Sequence, residues 1–466
     1  MRRVFALAAL AVSTPAFAAD GERTAVQLVS RAGTGAHIAW DMVSELTTRF
    51  GPRPAGSPNE RAAARWAAAK LKDYGFRNVA VHDFAITGWT RGQESAAILL
   101  PHPQPLAATA LGGSPATPGG AIEGEIISFA SLEALKLAAP GSLAGKVALV
   151  DLAMPKGGTG FGYGYVGRVR AFGPGEAAAR GAIGFLMRSV GTDSHRLPHT
   201  GSTRYVDGKV PIPSFALSVP DADQIARLEA LGERVRVRLS STASYQPGAI
   251  TSYVTGDIPG SGAAEEIVLL GAHLDSWDLG TGAIDDGAGI SIITAAAKLI
   301  GDQQRRPRRT IRVVFYGAEE VTQPDSADVS GRAYLDPRLA QMAKHVLAME
   351  SDEGADPIVA LALPDHLKGS AFEAAAQRIL GPLAIVPARE PPGRGGVDIA
   401  PLVDAGVPAF VLQQSASRYF DYHHTADDTL DKIDRVSLDQ NVAAWAGLIW
   451  LAADGDTDFR PRGTAK

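Results

Sequence analysis

The sequence predicts an α/β fold, a three-layer α/β/α sandwich carrying an inserted β-rich unit. Three observations point there. Beyond residue 250, apolar runs of strand length alternate with helical stretches, as expected when helices cover both faces of a sheet. Between 106 and 245, short apolar runs and turn residues crowd together with few long helices. The polar clusters of the C-terminal half fall where apolar runs end, the edge at which open α/β sheets place their sites. A chain of 466 residues, 45% hydrophobic, is long enough for such a domain with an insertion.

The first element is a leader. In MRRVFALAALAVSTPAFAAD, Arg2 and Arg3 precede an apolar run from Val4 to Val12, and Ala16-Phe17-Ala18 supplies an A-x-A cleavage site. Residues 1–18 therefore read as a secretory signal peptide, and the protein is expected to be exported, periplasmic or secreted. The apolar run is too short to span a bilayer and no other stretch is long enough, so no membrane span is expected in the mature chain.

Helical text follows over 38–75. In SPNERAAARWAAAKLKDYG, Ser57 is the expected N-cap, Pro58 the first helical residue, Glu60 the other half of a capping box and Gly75 the stop. NVAVHDFAI (78–86) and SAAILLP (95–101) read as strands. A stretch rich in Pro, Gly, Ala and Thr over about 102–120 marks a boundary. The sandwich is assigned 19–105 and 246–466, and the insertion 106–245. Inside the insertion, GKVALVDLA (145–153), IGFLMRS (183–189), IPSFALS and RVRVRLS (234–240) read as strands, and 174–181 and DADQIARLEALG as helices. With RSVGTDSHRLPHTG in a loop, this section resembles a protease-associated (PA) domain. After 250, EIVLLGAH, TIRVVFYGAEE, HVLAMESD and PAFVLQQ read as buried strands, and GAGISIITAAAKLIG as a helix with Gly301 just past its end.

The formal charge of −5 gives no electrostatic case for nucleic acid or an anionic membrane surface as partner. Loss of the leader leaves 43 cationic against 50 anionic side chains, more acidic still. There is no Cys, which excludes thiolate metal sites and Cys nucleophiles. Any metal must be held by His, Asp and Glu.

GAHLDSWDLGTGAIDDGAG (271–289) packs one His and four Asp between apolar runs. Carboxylates this close repel one another, and burying them is costly unless a positive charge sits among them. Five strand ends or loops carry such groups: His273 with Asp275, Asp285 with Asp286, Glu319 with Glu320, Glu350 with Asp352, and His423 with His424. Two imidazoles and several carboxylates suit zinc or a similar divalent ion. The inventory covers a pair of metals: a bridging carboxylate, two further ligands on each ion, and a free carboxylate to handle protons.

The order H-x-D, I-D-D, E-E, E-S-D, H-T-x-x-D-T resembles the co-catalytic zinc exopeptidases, the family of secreted bacterial aminopeptidases and glutamate carboxypeptidases. Within it the motifs are most similar to the plasma glutamate carboxypeptidase branch, over roughly 35–455. The resemblance implies a mixed central sheet and two Zn²⁺ held by His273, Asp285, Glu320, Asp352 and His424, with Asp285 bridging. Glu350, two residues from Asp352, competes with it as ligand. Glu319 would be the general base, taking a proton from water and passing it to the leaving amine. Relatives place a Tyr against the oxyanion just before the last His; here that residue is His423, whose imidazole is expected to donate instead. Asp275 is expected to hold the His273 ring, Asp286 to share a cis peptide with Asp285, and Asp398 in GRGGVD to support the ligands from behind.

In the insertion, Arg168, Arg170, Arg188 and Arg204, with His199 and Tyr205, are candidates to reach the cleft, where an Arg would fork onto a peptide carboxylate. His37, His82, His102, His345 and His366 belong to no motif and read as structural or exposed. GPGEAA (173–178) has no strand leading into it and is a poor dinucleotide signal. There is no G-x-S-x-G and no H-E-x-x-H.

The expected activity is that of an exported di-zinc exopeptidase acting on dipeptides or short peptides, and a homodimer is expected from the family's habit. Two readings compete: a non-catalytic binding protein on the same scaffold, and a glutaminyl cyclase-like acyltransferase on one zinc. The first normally loses ligands that are all present here; GAIDDGAG and the insertion argue against the second.

Overall fold

The computed structural model describes residues 15–35, 37–158, 160–324 and 328–461. Of the expected leader, residues 1–14 lie outside the described residues, and Pro15 opens a helix that runs to Gly35. No described helix is long and apolar enough to cross a membrane.

The sandwich is built on a five-stranded sheet in the order Arg77–Thr90, Ser244–Ile258, Arg309–Tyr316, Ala263–His273, His345–Glu350. The first three pair antiparallel and the last three parallel, so the sheet is mixed. Along Ala263–His273, Val268, Leu270 and Ala272 face one apolar cluster, and Ile267 and Leu269 the other. A strand buried on both faces reads as an unbroken apolar run, which is why VLLGA shows no alternation. Helices Ile38–Phe50, Ala288–Gly301 and Arg435–Asp454 cover the first face. Val329–Leu335 and Ala400–Asp404 cover the second, completing three layers. A small sheet of Val386–Pro387, Ile358–Ala362 and Val411–Gln414 joins on through a bridge between Ala348 and Ala409.

The inserted unit is an eight-stranded sheet running from Glu94 to Ser241, with helices Leu132–Leu137, Phe161–Ala179 and Val219–Ala230. The long antiparallel pair Arg77–Thr90 and Ser244–Ile258 carries it on the sandwich. Its first strands, Glu94–Leu100 and Gln104–Leu106, pair within it, so the boundary expected at 105/106 falls inside this sheet. The strand Glu94–Leu100 finds its partner in Arg236–Ser241, too far along the chain for local pattern to reveal.

Two further expectations differ from the structure. The helix expected at 174–181 begins at Phe161, because its glycines and Pro174 hide it from propensity while Val166, Val169 and Ala177 are buried. Ser57 caps its helix, accepting from Glu60 N at 3.1 Å, but the Glu60 carboxylate is buried toward Ser252 N at 3.4 Å instead of completing a capping box.

Candidate metal centre and cleft

Three parallel strands deliver their C-terminal ends to one edge. Ala263–His273 ends on His273, Arg309–Tyr316 leads into Glu319 and Glu320, and His345–Glu350 leads into Asp352. Asp285 and Asp286 lie in the turn Ala283–Gly287 that opens the helix Ala288–Gly301, and the peptide between them is cis. His424 arrives on a loop with φ of 60°.

Two groups that hold this turn carry no ligand role. Asp428, the last acid of HTADDT, accepts from Ala283 N and Ile284 N, each at 2.7 Å. Arg53, fully buried, donates to Leu274 O (2.7 Å), Gly51 O (3.0 Å), Thr281 O (2.7 Å) and Gly282 O (2.9 Å). Burial pulls the Arg53 pKa down to about 10, opposed by Asp428, Asp275, Asp286 and Asp285, so it stays cationic beneath the acid cluster. GPRP gives no sign of this role.

Asp285 stands between two half-sites. Its Oδ1 is 3.1 Å from His273 Nε2, which is 3.2 Å from Asp352 Oδ1. Its Oδ2 is 3.2 Å from His424 Nε2, which is 3.1 Å from Glu320 Oε2. A tetrahedral ion with bonds of ~2.0–2.1 Å has ligand atoms ~3.3 Å apart, so each spacing is close to an edge of such a polyhedron.

Proton placement points the same way. His273 Nδ1 lies 2.9 Å from Asp275 O and His424 Nδ1 3.3 Å from Thr200 O, so both Nδ1 atoms carry the hydrogen. Nε2 of each ring is then the atom turned onto the carboxylates, where a cation is ligated; burial disfavours charge on His273, but Asp352, Asp275 and Asp285 overcome it and hold the ring well above its ordinary value, so a proton takes the place a metal would fill. Asp285 Oδ2 and Glu320 Oε1 are buried without a hydrogen-bond partner. Burial first, and the neighbouring acids second, push the carboxyls of Glu320 and Glu319 well above their ordinary range. Burial acts against ionisation of Asp285 too, but the hydrogen bond from a protonated His273 holds it well below the usual value. The donor set fits divalent cations with nitrogen and oxygen preference.

The remaining acids have other partners. Asp275 receives Glu319 N and Glu320 N, both at 3.1 Å, and so fixes the strand end that carries both glutamates. Asp286 points back to His273 N (3.0 Å) and Gly289 N (2.9 Å). Glu350 spends both oxygens on Val397 N (2.9 Å) and Ile399 N (2.8 Å), which leaves Asp352 as the acid facing His273. Asp398 is buried behind it, with burial, Glu350 and Glu319 raising its pKa and its Oδ2 unpartnered. Glu319 is half-buried beside these acids, its backbone fixed by Asp275.

His423 differs from the expectation of an oxyanion donor. His199 Nδ1 lies 2.8 Å from Thr200 O and must donate there; its Nε2 is then a lone pair, 2.7 Å from His423 Nδ1. His423 therefore donates from Nδ1, and its Nε2, 3.8 Å from Asp285 Oδ2, faces the centre without a hydrogen. Burial, then the neighbouring His424, holds both rings well below the ordinary imidazole value, in keeping with neutral rings.

The insertion contributes less than its sequence suggests. Arg170 reaches Thr200 O (3.2 Å) and Tyr163 Oη (2.7 Å). Arg188 does not reach the cleft: it is buried between Asp151 and Asp223, at 2.6 Å from each. Arg168 and Arg204 are exposed, stacked on Phe172. Sequence separation concealed these local partners. Ser202 Oγ donates to Glu320 O at 2.5 Å, and Thr200 N to His424 O at 3.0 Å, so the loop after His199 lies across the metal edge. Beside it a cavity of about 290 Å³ opens between sandwich and insertion, lined by Trp89, Arg91, Tyr205, Trp277 and Glu320. Trp89, Arg91 and Trp277 were not singled out by sequence; Trp277 and Asp278 sit inside the acid-rich stretch, which was their only signal.

Comparison with known proteins is consistent with this geometry. Residues 253–449 match the model of peptidase family M28. Carboxypeptidase Q of Mus musculus is 32% identical over 424 residues, covering 91% of this chain and 87% of its own. Carboxypeptidase Q of Homo sapiens is 31% identical over 422 residues, 91% of this chain and 86% of its own. The crystal structure of a peptidase M28 precursor from Shewanella amazonensis superposes with a TM-score of 0.91 at 41% identity, covering 95% of this chain and 99% of that one. An aminopeptidase from Aneurinibacillus shares the fold, with a TM-score of 0.64 at 19% identity over 94% of this chain and 98% of that one.

Proposed function

The chain belongs to peptidase family M28, and from that premise we propose that it is an exported, zinc-dependent exopeptidase that hydrolyses dipeptides or short peptides at a two-metal centre. One observation carries the proposal: Asp285 directs one oxygen to each of two imidazole–carboxylate pairs, His273 with Asp352 and His424 with Glu320. These five residues would hold two zinc ions. Such ions polarise a scissile carbonyl and make water acidic enough to attack it at neutral pH.

The protein's own groups supply the remainder. Glu319, kept protonatable by burial, takes a proton from the attacking water and gives it to the leaving amine as the C–N bond breaks. Asp275 fixes Glu319 and Glu320 through their backbone nitrogens, so base and ligand cannot drift apart. Asp286 and Asp398 support His273 and the Glu350 loop from behind. His423, with a lone pair at Nε2, accepts an N–H of the bound peptide instead of stabilising the oxyanion. The insertion's loop 199–205 closes the cleft over the substrate, excluding water.

The test is a panel of free and terminally blocked dipeptides, assayed with zinc and with a chelator. Hydrolysis of free dipeptides that the chelator abolishes and zinc restores supports the proposal. No hydrolysis by zinc-loaded protein, or hydrolysis indifferent to the chelator, refutes it.

A further inference from the structure

We propose that the cavity beside Glu320 is a subsite for a bulky, uncharged side chain of the peptide; the assignment rests on the peptidase reading of the adjoining centre. Glu320 lines the cavity, and the Trp277 ring on its wall lies 5.7 Å from the His424 ring, so a residue lodged there is held next to the reacting bond. Its volume of about 290 Å³ suits one large side chain and its backbone, not a length of chain.

Charge decides what that side chain is. Among the described residues, Arg91 is the one Lys or Arg that lines the cavity. All five of its N–H groups are taken. Nε and Nη2 grip the two oxygens of Asp278 at 2.8 and 2.7 Å, Nη1 serves Thr109 Oγ1 (2.7 Å) and Ala110 O, and Nη2 also reaches Thr200 Oγ1 (3.3 Å). Arg91 therefore has no donor left for a substrate carboxylate, and Asp278 has already spent its charge on Arg91. The other lining acid, Glu320, belongs to the metal centre. A glutamate or lysine side chain entering here would lose water and gain no counter-charge, which burial penalises heavily.

The walls favour an aromatic or large aliphatic body. Trp89 and Trp277 meet edge to face at 6.2 Å, with Tyr205, Ala55 and Val321 nearby.

The experiment measures kcat/KM for zinc-loaded protein on Gly-Xaa and Xaa-Gly series, with Xaa as Ala, Leu, Phe, Glu and Lys. In one of the two series Phe and Leu are expected to exceed Glu and Lys by about tenfold or more. Thr322→Phe, which fills the half-buried lining position Thr322, is expected to collapse that ratio; Gln246→Trp at the exposed rim serves the same purpose should Thr322→Phe fail to fold. A flat series, Glu or Lys leading in both series, or a folded filling variant that keeps the ratio overturns the subsite. Failure to cleave any dipeptide would instead sink the peptidase reading on which it rests.

Discussion

His199 Nε2 lies 2.7 Å from His423 Nδ1, so an imidazole of the insertion dictates which nitrogen of an imidazole at the metal edge bears the proton. His199 Nδ1 donates to Thr200 O and His423 Nδ1 donates to His199 Nε2, which leaves a bare Nε2 on His423. Side-chain ¹⁵N spectra of zinc-loaded, His-labelled protein should show His423 protonated at Nδ1. In His199→Ala that preference should be lost. Protonation at Nε2 in the parent protein would return His423 to the oxyanion.

Glu319→Gln should keep both the fold and the zinc content, because the hydrogen bond that fixes Glu319 runs from its backbone nitrogen to Asp275 and survives the change. Its kcat should fall by about 10²–10⁴-fold, the usual contribution of a positioned proton carrier. Substantial turnover in clean variant protein would remove Glu319 from its role.

Arg53→Met should cost about 3 kcal/mol or more, since four carbonyls lose a charged donor and at least two of them are buried. Because three of those carbonyls, Leu274, Thr281 and Gly282, belong to the segment that delivers Asp275 and Asp285, zinc affinity should fall with stability. Denaturant unfolding and metal titration of the same preparation check both.

Much of this site was legible before any coordinates. His273, Glu320 and Asp352 follow apolar runs that form parallel strands, and such strands bring their ends together, so their convergence follows from pattern; Asp285, in a turn, and His424, on a loop, were legible only through the order of the motifs. The rest lay in pairings that local pattern cannot show. Arg53 and Arg91 act on backbone and side chains hundreds of residues away or across the insertion, and nothing in GPRP or WTRG marks them. Glu350 and Asp352 look alike in ESD; only the backbone nitrogens of 397 and 399 separate them. The four arginines of the insertion were equivalent as text, whereas Asp151 and Asp223 immobilise Arg188.

His345 offers a pH-dependent check away from the metals. It is buried against Tyr334 Oη at 2.8 Å, and burial lowers its pKa to about 4. The unfolded chain takes up this proton near pH 6.5 and the folded one only near 4, so stability is complete above 6.5 and is lost as pH falls toward 4. The loss should amount to about 3 kcal/mol. His345→Gln, which cannot titrate, should flatten unfolding free energy across that window; an unchanged slope would assign the acid sensitivity elsewhere.

The most direct measurement is anomalous scattering at the zinc edge from crystals of zinc-loaded protein. Two peaks should flank Asp285, one enclosed by His273 and Asp352 and the other by Glu320 and His424. A single peak, or peaks that Asp285 does not touch, would contradict the two-cation centre.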